Sequence, residues 1–388
     1  MQTKVGALAH LARALDWQSK GDRFESDMLH ESIVIVLKKC SDFFIYLHKS
    51  IPIIKMKSIT ILFFTLIPIA SLFCQNKTPE DYGFIHLEFD YKSDKVDILI
   101  KSKKGEENKS KPLFFFCQGS LPNPLIKYYD NGVYGVFPFN PDSLSEKYHL
   151  VIVSKPYIPL ICHIKELDES LNYRDNSGGF PEEYSKRNLL TYYVNRNIEI
   201  LKKLRKQEWV SNNELVVAGH SEGSTIAAKM ASLYPKITHL IYSGGNPRGR
   251  ILSIIQKERA NEFYGDSIKP AENEIEYWDY VVNDKTNMDA SQGDTNKATY
   301  EFSIPPMDYL EKLKIPVLIC YGTKDWSAPY NDLLRVDMIR KKKKNFYFNA
   351  YVGTEHNFFP VTSENKPDYE IFNWDKVAND WLEWLNNQ

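Results

Sequence analysis

Three residues far apart along the chain have the types and settings that acyl-transfer chemistry needs: Ser221, Asp325 and His356. Ser221 stands in Gly219-His220-Ser221-Glu222-Gly223, after the apolar run Val216-Val217-Ala218 and before Ser224-Thr225-Ile226-Ala227-Ala228. A β-prone run before and a helix-prone stretch after predict a strand–turn–helix corner, the setting of a nucleophile elbow. The turn must be too tight for side chains on both sides of the serine. A glycine two residues before and another two after remove the Cβ atoms that would collide. The corner also puts the backbone N–H of Glu222 at a helix start, where it can help hold an oxyanion. G-x-S-x-G arises by chance in roughly one chain in ten of this length, so its partners decide what it means.

A serine hydroxyl is a weak nucleophile at neutral pH. It needs a base in contact, and the base needs a carboxylate to fix its tautomer. On a strand–turn–helix corner of this kind the order along the chain is serine, acid, histidine. Of the nine histidines, only His356 lies beyond the elbow in a loop after a predicted strand, in Gly353-Thr354-Glu355-His356-Asn357-Phe358-Phe359. The acid is Asp325, in Tyr321-Gly322-Thr323-Lys324-Asp325-Trp326-Ser327-Ala328-Pro329, just past a strand end. The other loop where an acid could stand, residues 244–250, has no carboxylate. Glu355 adjoins His356 but is expected to point elsewhere.

These residues need a scaffold, and the rest of the chain supplies the pattern of one. Residues 86–91 and 95–101 alternate polar and apolar positions, as strands of a half-exposed sheet do. Pro112-Leu113-Phe114-Phe115-Phe116-Cys117 and the run at 149–154 are continuously apolar, as strands buried on both faces are. Further strands are predicted at 237–242, 315–321 and 346–352. Helices are predicted over 184–204, from a stripe of Leu190, Val194, Ile198 and Leu201, after the elbow, over 333–342, and at the end of the chain through Trp374, Val377, Ala378, Trp381, Leu382 and Leu385. Residues 167–183 read as a surface loop near the site. Residues 248–312 carry Tyr264, Tyr277, Trp278 and Tyr280 among charged residues and read as a helical cap insertion. Alternating strands and helices imply an α/β fold: a mostly parallel sheet covered on both faces, with its site at the carboxyl ends of the strands.

With these motifs in this order, residues 85–388 resemble the α/β-hydrolase family, in its esterase, dienelactone-hydrolase-like or prolyl-oligopeptidase-like branches. The resemblance rests on Gly219-His220-Ser221-Glu222-Gly223, Gly322-Thr323-Lys324-Asp325 and Glu355-His356. It implies an eight-stranded core and ester-type hydrolysis through an acyl-enzyme, with no metal and no organic cofactor. The family's oxyanion loop often reads His-Gly after the third strand, and here the matching place reads Gln118-Gly119-Ser120. A backbone N–H at Gly119 or Ser120 is therefore expected to join that of Glu222. A small serine peptidase or acyltransferase is the first alternative. A non-catalytic binding protein of the same fold is the second, although such proteins typically lose one of the three residues.

Composition narrows the partners. Lys+Arg number 49 and Asp+Glu 50, a net charge of −1, so no global field for nucleic acid is implied. The lysines at 341–344 read as a solvated helix end. The five cysteines, Cys40, Cys74, Cys117, Cys162 and Cys320, show neither C-x-x-C nor metal-ligand spacing, and no disulfide framework. The expected partner is a small ester or acyl compound.

Residues 56–75 have the form of a secretory signal peptide: Met56-Lys57, an apolar core of about a dozen residues and a polar break at Gln75. That core is short for a spanning helix, which needs about 20 residues. Translation is therefore expected to begin at Met56, with residues 1–55 outside the natural product. In support, Arg23-Phe24-Glu25-Ser26 can be encoded by the T-arm sequence of a transfer-RNA gene. The mature protein is expected to be exported, periplasmic or extracellular. A membrane anchor would arise only through lipidation of Cys74, whose preceding Ser71-Leu72-Phe73 departs from the usual lipoprotein pattern.

Overall fold

The structure, a computed structural model, describes residues 77–265, 268–291 and 293–388. The extension at 1–55, the signal peptide at 56–75 and Cys74 lie outside the described residues. Among the described residues no helix is long and apolar enough to cross a membrane.

An eight-stranded sheet organises the chain. It is built from β1 (Ile85–Tyr91), β2 (Asp94–Lys101), β3 (Lys111–Cys117), β6 (His149–Val153), β8 (Val210–His220), β9 (His239–Ser243), β10 (Val317–Gly322) and β11 (Phe346–Tyr351). The spatial order is β1-β2-β6-β3-β8-β9-β10-β11. The first two strands run antiparallel to each other, β2 runs antiparallel to β6, and every later pairing is parallel. Residues of β3 show why its continuous apolar run forms a central strand. Leu113, Phe115 and Cys117 point into one core, under α3 (Leu190–Leu204) and α4 (Glu222–Leu233), while Phe114 and Phe116 point into the other. That second core is closed by α10 (Trp374–Asn386), which lays Trp374, Val377, Ala378, Trp381 and Leu385 on the sheet. Both faces of the strand are dry, so no polar alternation survives in its sequence.

The helix expected over 184–204 is two helices, α2 (Glu182–Arg187) and α3, broken at Asn188 and Leu189. Tertiary hydrogen bonds account for the break. Asn188 Nδ2 donates to Asp294 at 2.9 Å, and its Oδ1 accepts the Tyr193 hydroxyl at 3.0 Å. Glu301 then accepts Thr191 N–H at 2.9 Å and so caps the opening turn of α3 from another element.

The sequence also gave no sign of a second, three-stranded sheet, ordered β5 (Gly132–Val133), β4 (Ile126–Tyr129) and β7 (Ile161–His163). Its strands are too short to display a period. Residues 248–312 hold four helices and, among the described residues, no strand: α5 (Arg250–Ala260), α6 (Pro270–Asn283), α7 (Asn296–Ser303) and α8 (Met307–Leu310). Helix α9 (Ala328–Arg340) both starts and ends earlier than the helix expected over 333–342.

Candidate active site

Strand β8 ends at His220 and α4 starts at Glu222, leaving Ser221 alone at the corner with φ 57° and ψ −126°. A left-handed φ on a non-glycine residue costs of order 1–3 kcal/mol and persists only where its surroundings enforce it. Here Ser221 N–H donates to Ser243 O at 2.9 Å, tying the corner to the end of β9, and Ser221 O accepts Ser224 N–H at 3.0 Å. The two flanking glycines are sterically required. A Cβ on Gly219 would lie 2.0 Å from Gly223 O, and one on Gly223 would lie 2.0 Å from Cys117 O.

The acid and the base sit on loops that are fastened to each other. Lys324 N–H donates to Thr354 O at 2.9 Å, Thr323 N–H to Tyr351 O at 3.0 Å, and Gly353 N–H to the Thr323 hydroxyl at 2.9 Å. This brings His356 Nδ1 within 2.8 Å of Asp325 Oδ2, an N–H donated to a carboxylate. The other Asp325 oxygen accepts Ser327 N–H at 2.9 Å. Asp325 is buried, which works to raise its pKa. The charge and hydrogen bond of His356, with Ser327, outweigh that and hold the carboxyl below its ordinary value. His356 is half-buried, which works to lower its pKa, but Asp325 prevails and raises it. Glu355 turns back into its own loop, as expected, accepting the N–H groups of Asn357 and Phe359.

Ser221, Asp325 and His356 line one cavity of about 50 Å³, together with Ser120 and Glu222. Of the expected oxyanion residues, Gly119 stands near the serine: a Cβ there would lie 3.7 Å from Ser221 Cβ. From the helices of 248–312 come Arg250, Ser253 and Phe302. The cavity thus joins the candidate residues Ser120, Ser221, Glu222, Asp325 and His356, while Gly119 is not part of its lining.

Two features escaped the sequence reading. His220, noted only as part of the elbow, packs its ring 4.9 Å from that of His356 and 4.7 Å from that of Trp374. Burial, then the neighbouring His356, push its pKa down to about 3, so it is neutral. The second is a buried charge cluster around Glu222. Its carboxylate lies 3.5 Å from Lys155 Nζ and 3.3 Å from Arg250 Nη1, and Arg250 reaches Asp294 at 2.9 Å. Two arginines in Asn246-Pro247-Arg248-Gly249-Arg250, a loop without an acid, were the available signal.

A separate group, His86, Glu88 and Asp97, gathers its ligand atoms within 4.8 Å on β1 and β2. The 2.8 Å contact between His86 Nε2 and Asp97 accounts for it as a hydrogen-bonded pair.

Counted in chain order, the eight strands lie in the order 1-2-4-3-5-6-7-8, and the elbow follows the fifth. A serine on a strained turn at the carboxyl end of that strand, with acid and histidine following in order, decides the architecture. The chain has the α/β-hydrolase fold.

No family profile matches the sequence, and no curated protein matches it. Solved structures do. Est1E from Butyrivibrio proteoclasticus is 16% identical with a TM-score of 0.45, over 78% of this chain and 98% of that one. The α/β-hydrolase GrgF from Penicillium sp. sh18 is 12% identical with a TM-score of 0.47, over 78% and 98%. An acylaminoacyl peptidase from Pyrococcus horikoshii is 15% identical with a TM-score of 0.47, over 77% of this chain and 41% of that one. Overlaps this loose leave the α/β-hydrolase fold resting on strand order and elbow.

Proposed function

We propose that this protein is a serine hydrolase that cleaves a carboxylic ester or related acyl compound. The observation that carries the reading is the 2.8 Å contact between His356 Nδ1 and Asp325 in the cavity that Ser221 also lines. In this reading Ser221 attacks the carbonyl carbon and His356 Nε2 takes the hydroxyl proton. Asp325 fixes the His356 tautomer and stabilises the imidazolium. The N–H of Glu222 and one at Gly119 or Ser120 receive the negative charge that forms on the carbonyl oxygen; each such donor contributes about 3 kcal/mol. His356 returns its proton to the departing alcohol, and water, activated by the same histidine, releases the acyl group. Residues 248–312 act as a cap: Arg250, Ser253 and Phe302 give the substrate pocket one polar and partly charged wall.

A fluorophosphonate probe is expected to label the purified protein at Ser221, and Ser221→Ala to abolish labelling. Absence of labelling in the wild type would reduce the protein to a binder. A panel of p-nitrophenyl esters set against aminoacyl-nitroanilides tests the ester assignment, since faster turnover of the anilides would make it a peptidase. The same proposal includes export through residues 56–75. Mass spectrometry of the native product is expected to find no peptide from residues 1–50.

A further inference from the structure

A second, smaller cavity of about 20 Å³ lies behind the expected oxyanion loop, at the carboxyl ends of β3 and β6 and against α3 and α4. Gln118 and Cys117 line it, and so do two cations, Lys155 and Arg196, each only 3% exposed. The hydrolytic mechanism uses neither cation.

Lys155 is left without a hydrogen-bond partner, and Arg196 is hydrogen-bonded but has no carboxylate to balance its charge among the described residues. The nearest carboxylate oxygen to Lys155 Nζ is that of Glu222 at 3.5 Å, beyond a good hydrogen bond, and both atoms lack a hydrogen-bond partner. Lys155 Nζ otherwise faces the Tyr193 ring at 4.7 Å. Arg196 donates to Asn197 Oδ1 at 3.1 Å and to Ser154 O at 2.9 Å, both neutral acceptors, and among the described residues no carboxylate pairs with it. Glu222 is shared with Arg250, which is also held by Asp294. The cluster therefore holds three cations, the buried Lys155 and Arg196 and the half-buried Arg250, against the buried Glu222 and the half-buried Asp294. Cys117 does not supply the missing negative charge, because burial pushes its thiol up to about 12.

A buried excess charge is costly unless something neutralises it. A cavity of this volume accepts one water-sized species. Burial lowers the pKa of Lys155 against the pull of Glu222, so water could satisfy that donor, but it would leave the Arg196 guanidinium charge unbalanced. We propose that this cavity binds a small monovalent anion of the halide class, held between Lys155 Nζ and the Arg196 guanidinium. The anion completes the charge balance next to Glu222, the first residue of α4, and so stabilises the helix start on which the elbow rests. Binding to the folded state alone raises its stability by mass action.

Crystals grown or soaked in bromide test this directly: an anomalous peak between Lys155 and Arg196 is expected. In solution, the Tm of the purified protein in sodium chloride or bromide is expected to exceed that in sodium gluconate of equal ionic strength by ~3 °C. Lys155→Met and Arg196→Gln should each erase that difference. An empty cavity in bromide, or the same Tm in chloride and gluconate, overturns the proposal. A halide gain that survives in both variants overturns it too, because the ion then sits elsewhere. If either variant fails to fold, the bromide crystal of the wild type still decides. None of these readouts depends on Ser221 being a nucleophile.

Discussion

Two acid–base pairs flank Ser221, and they are built differently. Asp325 and His356 meet at 2.8 Å, with the second carboxylate oxygen taken up by Ser327 N–H. Glu222 and Lys155 stand 3.5 Å apart, and the facing atoms have no hydrogen bond. The first pair is fastened, with both carboxylate oxygens hydrogen-bonded, and open to the cavity on the histidine side, as the proposed proton transfer requires. The second is loose, sealed and short of partners. Burial alone therefore does not make a buried charge pair strong; saturated hydrogen bonding does.

The largest expected effect breaks the fastened pair. Asp325→Asn should lower kcat for an ester substrate by ~10⁴-fold, because the histidine loses its tautomer, while the fold survives as judged by circular dichroism. A fall of less than tenfold would remove Asp325 from the reaction. Next comes the loose pair. Glu222→Ala leaves Lys155 without a carboxylate and Arg250 with Asp294 alone, and should cost about 3–5 kcal/mol in denaturant unfolding. Lys155→Met, which removes an under-satisfied cation and keeps its bulk, should stay within about 1 kcal/mol in halide-free buffer. Equal losses in both variants would mean that the two partners are equally well satisfied.

A third prediction concerns His220, which packs against His356 and Trp374. Its folded pKa, about 3, is below the ordinary 6.5, so the unfolded chain binds the proton first as pH falls. Stability should therefore decline from about pH 6.5 downward to about pH 3, by up to roughly 5 kcal/mol. In His220→Phe that acid limb should flatten, measured by urea unfolding at stepped pH. The smallest effect is a shift in a profile. His356 acts as base only when neutral, so kcat/KM should rise with pH through a midpoint above 6.5, since Asp325 raises its pKa. Asp325→Asn should move the residual activity's midpoint down.

The contrast also explains what the sequence made legible. Ser221, Asp325 and His356 were readable as candidates because each stands where a strand ends, in the order that this fold sets, and because Gly219 and Gly223 mark a corner too crowded for a side chain. The apolar runs at β3 and β6 were readable because both faces of those strands are dry. The helix break at Asn188 was not, since its cause is a hydrogen bond to Asp294, a residue remote in sequence. Lys155 stood out no more than any lysine after a strand, because nothing local announces that α3 and α4 will close over it. The small sheet of β4, β5 and β7 leaves no periodic trace in strands of two to four residues.

The backbone bonds between the acid loop and the histidine loop have a mechanical consequence. With Thr323 and Lys324 stitched to Tyr351, Gly353 and Thr354, and Gly322 too close to Glu355 O to carry a side chain, Asp325 and His356 move together as one jaw. Ser221, tethered to Ser243, is the other jaw. In the proposed reaction, thermal breathing would then change the gap between the jaws more readily than the internal alignment of either one.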